Sequence, residues 1–255
     1  MIAKQAWTIQ QRAVTTAGTL PPALTPSTIR FTAMRPHHRG PRYAERLRRA
    51  LNVAVALVAI ALTAPLMLLI ALAVKLSSPG PVIYKQPRVG VDRRKSHGPG
   101  SLNHRRKVDQ GGRIFTIYKF RTMRVEQGPA RQVWASDRDP RITAVGRVLR
   151  AFRLDELPQL FNVLKGDMNI VGPRPEQPEI FQNLQQELGT YRYRQRVLPG
   201  ITGLAQVSLP YDQSIDDVKK KVDLDLEYIR RCSPVTDLLI MARTMPVMVF
   251  RKGAL

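Results

Sequence analysis

Two adjacent carboxylates, Asp155 and Glu156, lie in a segment rich in arginine, and this combination could carry out chemistry on a phosphate. Basic residues flank the pair on both sides: Arg147, Arg150, Arg153 and Lys165. One carboxylate can attack phosphorus while its neighbour holds a metal ion. An isolated Asp-Glu pair more often lies on a solvated helix face. The dyad alone therefore leaves both interpretations open.

The charge balance predicts an anionic partner. Lys and Arg number 41 against 19 acidic residues, a net charge of +22. Nucleic acid, anionic lipid and a phosphorylated substrate all fit this excess. Aromatic residues make up only 6% of the chain, which leaves little to stack bases on and disfavours single-stranded nucleic acid. The single cysteine, Cys232, excludes an internal disulfide and a cysteine-based zinc site, and fits a reducing, cytoplasm-facing location.

Residues 1–40 and 41–80 differ sharply in composition. Residues 1–40 lack helical or strand periodicity and are expected to form a disordered or loosely attached tail. The long apolar run at 51–76 begins too far from the first residue for a signal peptide, so none is expected. It is long enough to cross a bilayer. We expect 41–80 to be associated with a membrane.

Pro65, near the middle of that run, is compatible with two membrane topologies. It removes a backbone donor and favours a kink, and both flanks of the run are strongly basic. The positive-inside rule places basic flanks on the cytoplasmic side. A re-entrant helix that enters and leaves through one leaflet satisfies the rule at both ends. A spanning helix with a tolerated proline satisfies it at one end only.

The remainder of the chain, 81–255, predicts a small domain of helices and a few short strands. Strands are expected at 82–84 and at Ile114–Phe120, separated by a basic, glycine-rich loop insertion at 92–112. Helical spacing predicts one helix ending near Arg153 and another at 154–164 that stops at Gly166, with the dyad near its N-terminus.

Further along the chain, helices are predicted at 177–196 and 214–232, and the glycine-punctuated segment 198–207 is expected to form a turn that leads into a strand. The apolar stretch 237–250 is expected to lie in a membrane interface or to cap the core.

Several motifs, in this order, resemble the bacterial sugar transferases, the monotopic phosphoglycosyl transferases that start glycoconjugate assembly. The resemblance runs from about residue 46 to 254. It is carried by the proline-broken apolar run and the following SSPGPVIYKQPRVG, by IYKFRTM, DPRIT, LDELPQLFNVLKGDMNIVGPRP, LPGITGLAQV and DLEYI, and by the final DLLIMARTMPV. The order and spacing of the motifs make the resemblance specific.

The resemblance implies an activity, partners and a location. A sugar 1-phosphate would move from a nucleotide diphosphate sugar to polyprenyl phosphate at the cytoplasmic face of the bacterial inner membrane. Asp155 would be the nucleophile, Glu156 would help to bind Mg²⁺, and Pro65 would mark the break of a re-entrant helix. The implied fold is α/β-like and irregular, with a re-entrant membrane helix, amphipathic interface helices and a small cytosolic catalytic domain.

Three cations are candidates for binding the substrate phosphates. Arg121 and Arg174 lie in motifs of the family, and Lys119 is a third candidate. They would offset the repulsion between a carboxylate nucleophile and a diphosphate. Each could equally be a structural ion-pair partner.

The sequence departs from the family pattern in two respects. The insertion at 92–112 lengthens one connection, and the extra upstream helices of larger members are absent from this sequence.

Two other functions stay open. A non-enzymatic basic protein of the membrane surface would leave the dyad incidental. A nucleic-acid-binding protein would be expected to show interleaved aromatics or a recognition helix, and neither is found, so no nucleic-acid partner is expected. The residues do not decide between a monomer and a homo-oligomer.

Overall fold

A computed structural model describes residues 42–92, 111–125, 139–209 and 215–249. The predicted tail at 1–40 and most of the predicted insertion at 92–112 lie outside the described residues. Within them the elements follow one another in this order: α1 (Arg42–Ser77), β1 (Ile83–Val89), β2 (Ile114–Phe120), α2 (Ala144–Ala151), α3 (Gln159–Lys165), β3 (Asn169–Val171), α4 (Pro178–Glu187), β4 (Gly200–Thr202), α5 (Leu204–Ser208), α6 (Ile215–Arg231) and α7 (Pro234–Val249).

The apolar run folds into α1, a helix of 36 residues that continues through Pro65. Among the described residues it is the one helix long and apolar enough to cross a membrane. Much of its middle is exposed in the protein alone; Leu62 and Leu68 are 76% and 73% exposed. Such a surface is unfavourable in water and calls for an apolar environment. The length and the exposed apolar surface of α1 fit the expectation of a membrane-associated segment. The re-entrant path stays a prediction.

Strands β1 and β2 form an antiparallel pair in which Ile83 faces Phe120 and Val89 faces Ile114. The bounds predicted for β2 are confirmed, whereas β1 begins one residue after the start of the predicted 82–84 strand and continues to Val89. Asn162 of α3 ties the outer edge of β2 by donating to the carbonyl of Thr116 at 2.7 Å and accepting from the amide of Tyr118 at 3.1 Å. This contact sets α3 against β2.

The helix expected at 154–164 begins later than predicted. Leu154–Glu156 form a separate 3₁₀ turn, and α3 starts only at Gln159. Pro158 has no N–H to bond the carbonyl of Leu154, which instead accepts from the amide of Leu157 at 3.3 Å. The predicted stop at Gly166 is confirmed, because this glycine adopts a left-handed conformation with φ of 82°.

Two short parallel strands, β3 and β4, form a second sheet. A Cβ on Gly172 or on Gly200 would collide with the backbone of the other segment, so glycine permits this close approach. The strand expected after the turn at 198–207 is wrong in position. The strand is Gly200–Thr202 itself, and the helix α5 follows it.

The second half of the chain is helical. The helix predicted at 177–196 divides into α4 and a 3₁₀ turn at Tyr191–Arg196, with Gly189 between them. The helix predicted at 214–232 is confirmed as α6. In α7 the side chain of Ile240 is buried, whereas Val235 and Leu239 are exposed. Helix α7 thus both covers the core and keeps an apolar outer face.

One apolar cluster joins the end of α1 to the segment that carries the dyad. Its buried members are Ile70, Val74, Phe120 and Leu149, and Leu154 and Leu157 pack against them. The two leucines flank Asp155 and Glu156 in sequence. The second half of α1 therefore packs against the residues on either side of the dyad.

A buried polar cluster fixes the start of α1. Arg48 Nε donates to Asp237 Oδ2 at 3.0 Å, and its Nη2 donates to the Tyr228 hydroxyl at 2.7 Å. Asn52 Oδ1 accepts from the amide of Ile170 at 2.5 Å. Asp237 and Asn52 are fully buried, so these contacts replace water around charged and polar groups. They link α1 to α6, α7 and β3.

Candidate active site

The dyad stands on a tight turn between α2 and α3. Arg153, the residue before it, has φ of 55°, the one positive φ outside glycine among the described residues. A left-handed arginine costs about 1–2 kcal/mol and is held there by its surroundings. Thr143 caps α2 by accepting from the amide of Gly146 at 2.9 Å. The turn thus follows a well-defined helix and has little conformational freedom.

Two of the three predicted cations lie at the dyad. Lys119 Nζ is 2.8 Å from Glu156 Oε1 and 3.8 Å from Asp155 Oδ2. Arg174 forms a two-pronged contact with Glu156, with Nη2 at 2.7 Å from Oε1 and Nη1 at 3.3 Å from Oε2. The fold therefore brings a strand residue and a loop residue from distant parts of the chain to the same carboxylate.

The two acids of the dyad differ in their electrostatics. Burial raises the pKa of Asp155 and the charge of Glu156 adds to that effect, although Lys119 and Arg174 oppose it. For Glu156, burial is outweighed by Arg174 and Lys119, which hold the pKa of its carboxyl well below the usual range. The pKa of Asp155 is thus raised and that of Glu156 is lowered, so Glu156 is the more firmly ionised of the two carboxylates.

Arg121, the third predicted cation, lies against the carbonyl end of α1, and its predicted role in binding a substrate phosphate stays a prediction. Its Nη1 donates to the carbonyl of Pro79 at 2.8 Å, and its Nη2 donates to those of Ser78 at 2.5 Å and Val74 at 3.2 Å. The side chain is buried, and Gly80 packs against its guanidinium. Arg121 therefore secures the carbonyl end of α1, a structural role that the sequence analysis had left open.

Three arginines near the dyad or the loop that carries Arg174 were not predicted as site residues. Arg150 of α2 lies close enough to Asp155 to lower its pKa, and its Nε donates to Thr122 Oγ1 at 3.0 Å. Arg88 and Arg194 hold the backbone of the loop that carries Arg174. Arg88 belongs to one of the quoted motifs, but a motif does not say whether a side chain faces substrate or supports the loop.

The donor chemistry at the dyad suits a hard cation such as Mg²⁺. In the described part of the chain no group of three or more His, Cys, Asp or Glu side chains could hold a metal ion. Mg²⁺, however, is commonly bound by one or two carboxylates together with water and substrate phosphates. Asp155 and Glu156 are the residues that would hold it, with the remaining ligands coming from the substrate.

Comparison with known proteins decides the family. A family model described as bacterial sugar transferase matches residues 43–251. The chain belongs to this family. The matched range spans the dyad, Lys119 and Arg174, so the four-residue cluster lies within the region that the family shares. A UDP-N-acetylgalactosamine-undecaprenyl-phosphate N-acetylgalactosaminephosphotransferase of Aeromonas hydrophila is 41% identical over 82% of this chain and 45% of its own length.

Two other relatives bear names of UDP-glucose:undecaprenyl-phosphate glucose-1-phosphate transferases. The one from Caulobacter vibrioides is 39% identical over 92% of this chain and 81% of its own length. The one from Escherichia coli is 39% identical over 78% of this chain, and the match covers 39% of its own length. The chain thus spans less than half of the Aeromonas and Escherichia proteins, and most of the Caulobacter protein.

Proposed function

We propose that this bacterial sugar transferase moves a sugar 1-phosphate from a UDP-sugar to a polyprenyl phosphate, as an early step of glycoconjugate or exopolysaccharide assembly. The observation that carries the proposal is the Asp155–Glu156 dyad held between Lys119 and Arg174. The names of the relatives supply the substrate classes, a UDP-sugar and undecaprenyl phosphate. The sugar itself differs among those relatives, so the proposal leaves it open.

In the proposed reaction Asp155 acts as nucleophile. A carboxylate oxygen of Asp155 forms a bond to the phosphorus that bears the sugar, and the bond from that phosphorus to the bridging oxygen breaks. The electron pair leaves with the nucleoside monophosphate. An oxygen of polyprenyl phosphate then attacks the phosphosugar-aspartyl group at the same phosphorus and releases the Asp155 carboxylate. Neither step needs a general base, because an ionised carboxylate oxygen and an ionised phosphate oxygen carry no proton to be removed.

The surrounding charges explain why an anion can attack an anion here. Unit charges a few ångströms apart repel by several kcal/mol at the dielectric of a protein surface. Lys119, at 3.8 Å from Asp155, would offset part of this repulsion. Arg174 keeps Glu156 ionised beside the nucleophile. Mg²⁺, when bound at the two carboxylates, would supply further charge stabilisation for the diphosphate.

Contacts at both ends of α1 support an assignment in which this helix enters and leaves one leaflet. Near its start, Arg49 donates to the carbonyls of Val163 and Leu164 on α3 at 2.7 and 3.0 Å. Near its end, Val74 packs in the cluster with Phe120 of β2. Strand β2 and α3 are tied to each other, so one domain holds both ends of the helix. A helix that crossed the bilayer would place its ends on opposite faces.

Cysteine labelling tests this topology. Single cysteines are placed at Arg46 and Lys85, both exposed residues that flank the apolar run, in a Cys232→Ser background. We expect a membrane-impermeant thiol reagent to label neither position from outside intact cells and both once the cytoplasmic face is opened. A periplasmic cysteine in a known exported protein controls for access of the reagent. Labelling of position 46 from outside would show that the helix spans and would contradict the re-entrant path.

The activity is tested with purified protein, a panel of UDP-sugars and undecaprenyl phosphate. We expect release of UMP with one or a few donors, and sustained turnover only when the lipid phosphate is supplied in excess over the protein. Release of UMP is followed continuously, and the lipid product is identified by mass. No release with any sugar donor, from protein that stays folded in detergent, would contradict the proposed reaction.

A further inference from the structure

The loop 172–176, which carries Arg174, is fixed along its backbone. Every residue of the loop has a main-chain group that accepts or donates a hydrogen bond: Gly172 N to Thr202 O (2.9 Å), Pro173 O from Gly200 N (3.0 Å), Arg174 O from Arg194 Nη2 (3.1 Å), Pro175 O from Arg88 Nη1 (3.0 Å) and Glu176 O from Val89 N (2.9 Å). Pro173 and Pro175 further restrict φ. Two of these five bonds come from buried or nearly buried guanidinium groups rather than from backbone.

The Arg194 side chain is itself fixed by residues outside the loop. Its side chain is 0% exposed, and its Nε donates to Asp225 Oδ2 on α6 at 2.7 Å. Its Nη1 donates to the Tyr191 hydroxyl, and the guanidinium lies 4.7 Å from the centre of the Tyr191 ring. Burial lowers the pKa of Arg194, but Tyr191, Asp225 and Glu176 outweigh it and raise that pKa above its ordinary value. Arg194 is therefore charged and has a single well-defined orientation.

Glu176, the last residue of the loop, completes a largely buried charged cluster with Arg88, Arg194 and Lys221. Its carboxylate lies 3.9 Å from Arg88 Nη1, 3.9 Å from Arg194 Nη1 and 3.7 Å from Lys221 Nζ. Burial raises the pKa of Glu176, but Lys221 and Arg194 outweigh it and lower that pKa. The last residue of the loop is thus anchored to α6 by charge, while its carbonyl is anchored to β1.

Stability alone is a poor reason for so much buried charge. Desolvating an ion pair costs several kcal/mol per ion, and apolar residues of similar size often replace such pairs without loss. The cluster does, however, determine where the backbone of Arg174 lies. The Arg174 side chain in turn makes the two-pronged contact with Glu156, at 2.7 and 3.3 Å. A chain of contacts therefore runs from Asp225 through Arg194 and Arg174 to the dyad.

We propose that Arg194, oriented by Asp225, is a positioning residue that acts on sugar-phosphate transfer through Arg174. Arg194 fixes the main-chain carbonyl of Arg174, and the side chain of Arg174 contacts the dyad. The proposal rests on the proposed transferase function. It assigns to the buried cluster a role in aligning the site, in addition to its role in the fold.

A double-mutant cycle tests the proposal. Arg194→Lys keeps the charge but loses the fork that joins Asp225 to the Arg174 carbonyl. We expect it to lower kcat by roughly ten- to a hundredfold, the scale of misplacing a site residue by about an ångström, with little change in KM. In an Arg174→Lys background the same change should lower kcat by less than about threefold. The two-pronged contact of Arg174 with Glu156, through which Arg194 acts, is already lost there. Losses that multiply in full would overturn the proposal.

Two further variants separate alignment from folding. Tyr191→Phe removes one partner of Arg194 and leaves the loop untouched, so it should give a smaller loss of kcat with the same dependence on Arg174. Arg49→Lys is the matched control, because Arg49 also donates to two main-chain carbonyls, but at the end of α3. Its effect on kcat, whatever its size, should multiply with that of Arg174→Lys. Non-additivity of the same size at Arg49 would overturn the assignment.

A thermal unfolding cycle with the same variants distinguishes failure of this inference from failure of the proposed function. If the wild type releases no UMP from any donor, the proposed function fails. The unfolding midpoints still report whether Arg194 and Arg174 are coupled, because independent sites shift the midpoint additively. We expect non-additive shifts for Arg194 with Arg174 and additive shifts for Arg49 with Arg174. Additive shifts for both pairs would overturn the positioning role.

Discussion

Replacing Asp155 with Asn is expected to abolish sugar-phosphate transfer, with a loss of about 10³-fold or more in kcat, as is typical when a covalent nucleophile is removed. An amide of the same shape cannot form the phosphosugar-aspartyl group. Wild-type protein incubated with the sugar donor alone should gain the mass of a phosphosugar on the peptide containing Asp155. Asp216→Asn, which alters an exposed acid on α6, is the control and should keep full activity.

The unfolding temperature of the same Asp155→Asn variant gives an independent check on the site. The folded state raises the pKa of Asp155, mainly because the carboxyl is buried. A raised carboxyl pKa means that stability is lost as pH rises through that value, so the ionised Asp155 destabilises the fold at neutral pH. The neutral amide removes this cost, and the variant should unfold at or above the wild-type temperature at pH 7.

An active Asp155→Asn variant, or an adduct on another residue, would contradict the assignment of the nucleophile.

Replacing Glu156 with Gln should have the second largest effect, and of a different kind. Activity should be lost even at high Mg²⁺, because the variant lacks a negative oxygen ligand and leaves Lys119 and Arg174 without their shared partner. Chelation of Mg²⁺ should silence the wild type. Full activity in EDTA would rule out the metal role.

Stability should also fall in Glu156→Gln, opposite to Asp155→Asn. The pKa of Glu156 is lowered in the folded state, since Arg174 and Lys119 outweigh its burial. Such a group stabilises the fold above its ordinary pKa of 4.5, and this contribution is lost as pH falls through the lowered value. Glu156→Gln should therefore unfold at a lower temperature at pH 7. The difference from the wild type should shrink as the pH approaches the acid range. Equal shifts for both dyad variants would contradict the contrast in their electrostatics.

Local patterns were sufficient for several elements. The strand β2 was predicted with its observed bounds, and helical spacing before Arg153 predicted the helix that the structure places at α2. These signals work because strand and helix periods depend on near neighbours in the chain. The dyad turn was misplaced by the same method. The left-handed Arg153 and the missing donor of Pro158 interrupt a helix whose apolar spacing continues across both.

The family, the two carboxylates and the basic segments around them could be predicted before folding was considered, because residue type and order carry those features. The set of cations that meets the dyad depends instead on contacts in the folded chain. Lys119 and Arg121 are only two positions apart, and spacing alone does not separate their roles. In the folded chain Arg121 donates to the carbonyls at the end of α1, while Lys119 reaches Glu156. The support of Arg174 by Arg194 and Asp225 likewise needed the folded chain, because it depends on contacts between residues 20 and 31 positions apart.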